Sequence, residues 1–214
     1  MNQRKSVKKT VIIANGSLPD DPRVKKVLSS AKLIICADGG ANHARRLGIT
    51  PDIILGDLDS ITSTTRRYFQ RIPQLFIEDQ NSTDLEKAID YCIQRNVKSI
   101  DILGATGDRI DHTTVALGCF KKYGKQIDLK LIDSLGGISR IRLSTRLKMS
   151  IGEKVSLIPL ERCEGVTTSN LQYRLHNDIL ELGVREGISN EAVGTSVTIS
   201  VKRGTLLVYR FYKS

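Results

Sequence analysis

Two short apolar runs, each ending in aspartate, constrain the fold of this chain more than any other feature. Residues 33–36 are apolar and lead into Asp38, and residues 53–55 are apolar and lead into Asp57 and Asp59. Apolar runs of this length, bounded by small or acidic turn residues, predict buried strands. Because ligands bind at the C-terminal ends of strands in an open parallel α/β sheet, the pattern places three carboxylates at one sheet edge.

Asp57 and Asp59 indicate the chemistry of that edge. A single aspartate after a strand is ordinarily a helix N-cap, but in an extended turn two side chains separated by one residue point the same way. Two like charges so placed repel unless a cation lies between them. Carboxylates without Cys or His nearby suit Mg²⁺ better than Zn²⁺, and such magnesium shares its other positions with water and substrate phosphates. These residues therefore predict a site for a magnesium-bound nucleotide.

Strands and helices alternate through the first 132 residues. Helices are predicted from Pro22, from Gly39 to a C-cap at Gly48, over residues 63–71, from a capping box that begins at Thr83, and around His112, which lies in the first turn of the last helix. The predicted strands are residues 10–15, 32–37, 52–55, 75–77, 99–103 and 127–132. Repeated strand–helix units predict an α/β N-terminal domain with a mostly parallel, Rossmann-like sheet.

The pattern then changes to short alternating strands linked by glycine-rich turns. The predicted strands are residues 138–143, 154–160, 171–175, 178–182, 196–201 and 205–212. This half predicts an all-β sandwich as the C-terminal domain. We expect the two domains to occupy residues 1–136 and 137–214. Within the second, residues 186–191 are predicted to be either a surface loop or a patch whose Ser and Asn recognise a small polar heterocycle.

A glycine-bearing loop follows the fifth predicted strand, from Gly104 to Arg109. Such a loop at a helix N-terminus offers backbone N–H groups to phosphate, and an arginine can add a two-pronged contact. The loop lacks the Walker lysine pattern, so alone it is a weak signal. His112, in the first turn of the next helix, is either a structural or a catalytic histidine. Asp84 either complements its helix dipole or adds a fourth carboxylate to the sheet edge.

The composition of the chain bears on its partners and on its cellular compartment. The net charge of +10 allows either nucleic-acid binding or attraction of polyphosphate substrates. The basic residues are spread along the chain without a nucleic-acid-binding motif, so we do not expect nucleic acid to be the main partner. No apolar stretch reaches the roughly 20 residues of a membrane span, and the basic start lacks a signal-peptide core, so we expect a cytoplasmic protein. Four widely spaced cysteines predict buried free thiols.

Four ordered stretches together resemble the signature set of the thiamine pyrophosphokinase family. They are residues 38–42, 56–60, 79–87 and 104–112, and residues 188–191 extend the similarity into the C-terminal half. The resemblance implies transfer of the diphosphoryl group of ATP to the hydroxyl of thiamine, which gives thiamine diphosphate and AMP. It also implies a homodimer whose active site lies between the N-terminal domain of one subunit and the C-terminal domain of the other.

The resemblance also assigns roles to residues of this chain. Mg²⁺ would be held by Asp57, Asp59 and Asp84, which together with Arg109 are the expected catalytic residues. ATP binding is expected of a larger group: Asp38, Gly39, Gly40, Asn42, Lys87, Gly104, Ala105, Thr106, Gly107 and Arg109. Thiamine binding is expected of Gln80, Asp111, His112, Ser189 and Asn190. The chain has no tryptophan, so the residue that stacks on thiamine is expected to be Tyr173 or an aliphatic residue.

In the expected mechanism the thiamine hydroxyl attacks the β-phosphorus of ATP in line, and positioning and charge neutralisation dominate the rate. The general base is left open between Asp84 and Asp111. One alternative is a related magnesium-dependent diphosphokinase acting on a pterin-like alcohol, and another is a basic nucleic-acid-binding protein. A dinucleotide-dependent oxidoreductase is excluded because Gly-x-Gly-x-x-Gly does not follow the first strand.

Overall fold

The computed structural model describes residues 9–107 and 109–212. The basic start at residues 1–8, Asp108 of the glycine-bearing loop and the last two residues lie outside the described residues. The chain divides into two units. The first runs through Ala116 and takes in Gln126–Ser134, whereas the second comprises Leu117–Lys125 and the chain from Leu135 onward.

The first unit is built on parallel strands. They run in the order β6-β5-β1-β2-β3-β4, and every neighbouring pair is parallel. The strands are β1 (Thr10–Ile13), β2 (Leu33–Ala37), β3 (Ile53–Gly56), β4 (Gln74–Phe76), β5 (Ser99–Leu103) and β6 (Asp128–Ile132). Each predicted strand of this half is therefore confirmed, and no strand end is shifted by more than two residues.

Two of the helices begin where their capping residues predict. Asp21 accepts a hydrogen bond from the Arg23 N–H ahead of Pro22, and Thr83 forms the predicted capping box with Glu86. The helices are α1 (Pro22–Ser29), α2 (Gly40–Arg46), α3 (Ser63–Tyr68), α4 (Asp84–Gln94) and α5 (Ile110–Tyr123), the last of which extends into the second unit. Within the described part of the chain, no helix combines the length and apolar character needed to span a membrane.

The strand order determines where a ligand can bind. The chain passes from β1 through β2, β3 and β4 on one side, and then returns to place β5 on the other side of β1. This reversal creates a crevice at the C-terminal ends of β1 and β5, the usual ligand position in open α/β sheets. Parallel pairing also aligns the ends of β2 and β3, since the Asp38 N–H donates to the Leu55 carbonyl at 2.8 Å.

The second unit is antiparallel, as predicted. It contains β7 (Gly136–Arg140), β8 (Ser144–Lys148), β9 (Lys154–Pro159), β10 (Cys163–Ser169), β11 (Asp178–Leu180), β12 (Gly187–Glu191), β13 (Ser196–Ser200) and β14 (Leu206–Phe211). One layer has the order β12-β9-β14-β7 and the other β11-β10-β13-β8. Their apolar side chains form one core, which includes Val155, Leu157, Val166, Leu180 and Val197. This arrangement is a β-sandwich.

The prediction of a strand at residues 171–175 is wrong. The Asn190 side chain accepts a hydrogen bond from the Tyr173 N–H at 3.0 Å and donates one to the Tyr173 carbonyl at 2.7 Å. The Thr168 hydroxyl accepts a third, from the Leu175 N–H, at 3.0 Å. Side chains therefore supply much of the backbone pairing that a neighbouring strand would otherwise provide.

Three strands of the second unit have no clear sequence pattern. β8 is a mostly exposed edge strand in which Leu147 is the one apolar residue. β10 is interrupted at Gly165, whose φ is 67°, and its pairing shifts register there. β12 occupies the stretch predicted as loop or patch, and it is interrupted at Ser189, whose φ is 56°. Each irregularity breaks the alternation on which strand prediction depends.

The four cysteines are free and buried, which confirms the prediction made from their spacing. Burial raises the pKa of Cys92 to about 12 and that of Cys163 to about 11. These thiols are therefore protonated and unreactive at neutral pH.

Candidate active site

Three carboxylates converge at the C-terminal ends of β2 and β3. Oxygens of Asp38, Asp57 and Asp59 all lie within 4.8 Å of one another. Asp38 is only 3% exposed, Asp57 is half-buried and Asp59 is exposed. The exposure of these carboxylates therefore increases from the protein interior toward solvent, as is required of an ion-binding site that a ligand can reach.

A chain of hydrogen bonds holds these carboxylates. The Ser60 N–H donates to Oδ2 of Asp38 at 3.1 Å, the Ser60 hydroxyl donates to Oδ1 of Asp59 at 2.9 Å, and the Asp59 N–H approaches Oδ1 of Asp57 at 3.3 Å. Burial raises the pKa of Asp38, while hydrogen bonds from Ser60 and Gly39 act in the opposite direction.

The donor set fits a divalent cation such as Mg²⁺. Oδ1 of Asp38 is buried and has no hydrogen-bond partner, and an orphaned buried oxygen of this kind requires an explanation. A hard cation would give that oxygen a partner and would relieve the repulsion among the three carboxylates. Two of the three predicted metal ligands, Asp57 and Asp59, thus lie together with Asp38.

Asp84, the third predicted ligand, lies beside this cluster and is paired with a lysine. Lys87 is only 5% exposed, and its Nζ lies 3.0 Å from Oδ1 of Asp84 and 4.0 Å from Oδ2 of Asp57. The Asp57 N–H also approaches Oδ1 of Asp84, at 3.3 Å. A Cβ at Gly56 would lie 2.7 Å from that same oxygen, so the approach requires glycine there.

Two loops meet at the ends of β1 and β5. The Gly16 N–H donates to the Gly104 carbonyl at 2.6 Å, and the Ser17 N–H donates to the Thr106 carbonyl at 2.8 Å. A Cβ at Gly16 would come within 2.7 Å of both carbonyl oxygens, so glycine is needed for the contact. The loop after β1 was not predicted to be part of the site. The sequence signal for this loop was Gly16, which directly follows the predicted strand at residues 10–15. That strand corresponds to β1, which pairs with β5.

These elements line a cleft of about 420 Å³ in the first unit. Its wall includes many of the predicted site residues: Asp38, Asp57, Gln80, Asp84, Lys87, Gly104, Ala105, Thr106, Arg109 and His112. Asn15 and Gly16, which were not predicted, also line it. The cleft wall does not include Asp59, which lies against the other carboxylates, or Gly107 and Asp111.

Arg109 and Asp111 form an ion pair with each other. Nε of Arg109 donates to Oδ1 of Asp111 at 3.1 Å, and the second guanidinium nitrogen bonds Oδ2. The Arg109 hydrogen bond is the main reason that the pKa of Asp111 falls to about 2. The guanidinium predicted to contact phosphate is therefore held by a neighbouring carboxylate.

Three residues predicted to bind ATP form close contacts within the protein. A Cβ at Gly39 would lie 2.3 Å from the Asn15 side chain, and a Cβ at Gly40 would lie 2.0 Å from the Ile13 carbonyl oxygen. The Asn42 amide donates to the Ser60 carbonyl at 2.9 Å and accepts from Thr62. These contacts join α2 to β1 and to the loop that carries the carboxylates.

The two predicted thiamine-binding residues of the second unit differ in exposure. Ser189 is exposed, with φ at 56°, and its N–H donates to the Ser156 hydroxyl at 3.0 Å. Asn190 is 4% exposed, and its amide is bonded to the backbone of Tyr173. Tyr173 itself is 64% exposed. Asn190 therefore anchors an exposed aromatic residue to the strand that carries Ser189.

An α/β sheet with carboxylates, a buried lysine and glycine loops around a cleft at its strand ends defines a phosphotransferase-type protein. Residues 24–131 match the family model of the thiamin pyrophosphokinase catalytic domain. Residues 140–206 match the model of its vitamin B1 binding domain. The chain belongs to the thiamin pyrophosphokinase family, which confirms the resemblance drawn from the sequence motifs.

Individual relatives agree in sequence and in fold. The chain is 30% identical over 206 residues to thiamine pyrophosphokinase of Bacillus subtilis, covering 93% of this chain and 96% of that protein. It is 30% identical over 220 residues to thiamine pyrophosphokinase 1 of Arabidopsis thaliana, covering 88% of this chain and 81% of that protein. The crystal structure of the Bacillus subtilis enzyme superposes with a TM-score of 0.84 at 28% identity, covering 97% and 100% of the two chains. These matches confirm the predicted fold class.

Proposed function

We propose that this chain is a thiamine diphosphokinase, which transfers the diphosphoryl group of ATP to the hydroxyl of thiamine and releases AMP. The observation that carries the proposal is the carboxylate cluster of Asp38, Asp57 and Asp59, with one buried oxygen unpartnered, beside the cleft of a family member. Transfer of a phosphoryl group depends mainly on positioning and charge neutralisation. A cation site next to a phosphate-binding loop provides both.

Asp38, Asp57 and Asp59 would hold the metal, and Asp84 would act beside them. Asp84 was predicted as a direct ligand, but its Oδ1 is 3.0 Å from the Lys87 ammonium. In this proposal Lys87 balances the charge of Asp84 and orients it toward Asp57. Bound Mg²⁺ would supply charge neutralisation at the phosphate oxygens of ATP.

Backbone and arginine donors would hold the phosphates. The loop from Gly104 to Thr106 lines the same cleft as Asp57, and glycine loops at strand ends bring N–H groups close to phosphate. The N–H groups of Gly16 and Ser17 bond the carbonyls of this loop and would hold its shape. Arg109 would exchange Asp111 for a phosphate oxygen when ATP binds, because a doubly charged phosphate is the stronger acceptor. Asp111 released in this way is one of the two candidate bases, with Asp84 the other.

Thiamine would be recognised from the second unit. Exposed Ser189 offers a hydroxyl, and Tyr173, anchored by Asn190, offers an aromatic face for a heterocycle. We further propose a cytoplasmic homodimer in which these residues complete the active site of the opposite subunit. Both statements rest on the family resemblance.

The direct test is to incubate the purified chain with ATP, Mg²⁺ and thiamine. We expect AMP and thiamine diphosphate in equal amounts, and no product after chelation of the metal. A hydroxymethyl pterin is assayed in parallel, because a pterin-like alcohol is the substrate of the alternative diphosphokinase. AMP formation with the pterin and none with thiamine would contradict the proposed substrate.

The shared active site predicts complementation between two inactive variants. Asp59→Asn disables the metal site and Ser189→Tyr obstructs the thiamine site, so each variant alone is expected to be inactive. In a random mixture half of the dimers are mixed, and each mixed dimer has one intact site, which restores about a quarter of wild-type activity. Coexpression followed by the AMP assay measures this recovery.

A matched control mixes Asp57→Asn with Asp59→Asn. Both changes lie in the same half of the site, so no dimer of the pair has an intact centre and no recovery is expected. Recovery in neither mixture would show that each active site is built within one subunit.

A further inference from the structure

The loop that carries Asp57 and Asp59 passes through a residue in an unusual backbone conformation. Leu58 has φ at 61°, a left-handed conformation that residues other than glycine, asparagine and aspartate adopt rarely. Its side chain is buried, with 8% exposed. Because Leu58 lies between the two aspartates, its conformation determines the direction in which both carboxylates leave the backbone.

One side chain outside the loop contacts the Leu58 peptide. Nη2 of Arg66 donates to the Leu58 carbonyl at 2.5 Å. That carbonyl accepts a bond from a charged donor, and such bonds are stronger than neutral ones. The contact therefore favours the left-handed conformation of Leu58 over the alternatives that would turn the carbonyl away.

Arg66 reaches the loop from a helix that is itself held in place. The Thr62 N–H and hydroxyl both donate to Oδ1 of Asn42, at 3.2 and 3.1 Å, at the start of α3. Nη1 of Arg45 donates to the Thr64 hydroxyl at 2.9 Å. Two residues of α2 thus hold the start of α3 in place. The backbone position from which the Arg66 side chain reaches Leu58 is therefore fixed.

We propose that Arg66 is a positioning residue for the cation site, holding the Leu58 peptide so that Asp57 and Asp59 face Asp38. The inference rests on the metal site of the proposed function. It adds a residue that touches neither substrate nor ion and that no motif of the sequence singles out.

Because Arg66 is positively charged, the direction in which its replacement changes cation affinity tests the inference. As a positive charge near three carboxylates, Arg66 by itself weakens the binding of a cation. Its removal would then tighten cation binding. As a positioning residue it strengthens binding, so its removal loosens it. The two roles predict changes in opposite directions.

The experiment measures Mn²⁺ binding to the full-length chain by electron paramagnetic resonance, without ATP or thiamine. Arg66→Gln is expected to raise the Kd for Mn²⁺ about tenfold, the usual scale when a group that orients metal ligands is removed. Arg66→Lys keeps a charged donor on a long side chain for the Leu58 carbonyl, whereas the glutamine amide is neutral and has a shorter reach. Arg66→Lys is therefore expected to recover most of that loss. Arg67→Gln, which removes the same charge from the exposed neighbour on α3, is expected to bind Mn²⁺ as the wild type does.

Three results would overturn the inference. The first is that Arg66→Gln binds Mn²⁺ as tightly as Arg67→Gln or more tightly. The second is that Arg66→Lys binds Mn²⁺ as weakly as Arg66→Gln. The third is that the wild-type chain binds no Mn²⁺. The last result also contradicts the metal site of the proposed function, whereas the first two leave that site intact. The two failures are therefore distinguishable.

Discussion

Replacement of Asp59 by asparagine is expected to lower kcat about a thousandfold while leaving the fold intact. Asp59 is exposed, and asparagine keeps an oxygen that can accept the hydrogen bond from the Ser60 hydroxyl. The change therefore removes one negative charge from the proposed cation site and little else. Loss of metal clamping removes several kcal/mol of transition-state stabilisation, and each 1.36 kcal/mol or so is a factor of ten in rate.

The measurement is the rate of AMP release at saturating ATP and thiamine over a wide range of Mg²⁺ concentration. Asp20→Asn is the matched control. It removes the same charge, but from a surface ion pair with Lys25 that contributes little to stability. Turnover of Asp59→Asn near that of Asp20→Asn at high Mg²⁺ would rule out a role for Asp59 in holding the metal.

The parallel sheet was predictable because its strands are continuous apolar runs. Ile12, Ile35 and Ile54 are fully buried, and a parallel strand buried on both faces needs no alternation of polar residues. Strand ends then follow from the acidic or small residues that interrupt each run. The convergence of Asp38 with Asp57 follows in turn, since parallel strands end at the same edge.

The electrostatic pairing inside the site could not be predicted in the same way. The motif that contains Asp84 and Lys87 indicates a helix start and an i, i+3 pair. It does not indicate that the lysine is buried, or that its ammonium also lies 4.0 Å from Asp57. That contact depends on how closely α4 approaches β3, and glycine at position 56 is what allows the approach.

The β-sandwich was predictable as a class but not strand by strand. Alternation at residues 171–175 resembles a strand, yet three hydrogen bonds of that segment are made with the side chains of Asn190 and Thr168. Conversely, β10 and β12 contain left-handed residues that interrupt their alternation. Side-chain hydrogen bonds and bulges depend on residues distant in sequence, and a local pattern carries no information about them.

Replacement of Gly40 by alanine is expected to destabilise the protein by about 3 kcal/mol, the upper end of the usual range for overpacking. A Cβ at this position would lie 2.0 Å from the carbonyl oxygen of Ile13, a fully buried residue of the central strand β1. Backbone oxygen cannot move aside as the end of a flexible side chain can. Helix α2 must therefore shift away from the sheet, and Asp38 and Asn42 move with it.

Gly118→Ala is the matched control, because both glycines lie in helices and differ in their surroundings. A Cβ at Gly118 meets nothing within 4 Å, and the position is exposed. There alanine is expected to stabilise the protein by roughly 0.5–1 kcal/mol, through its higher helix propensity. Urea unfolding of the two variants should thus shift in opposite directions from the wild type. If Gly40→Ala were as stable as Gly118→Ala, the close packing of α2 on β1 that positions the carboxylate site would be disproved.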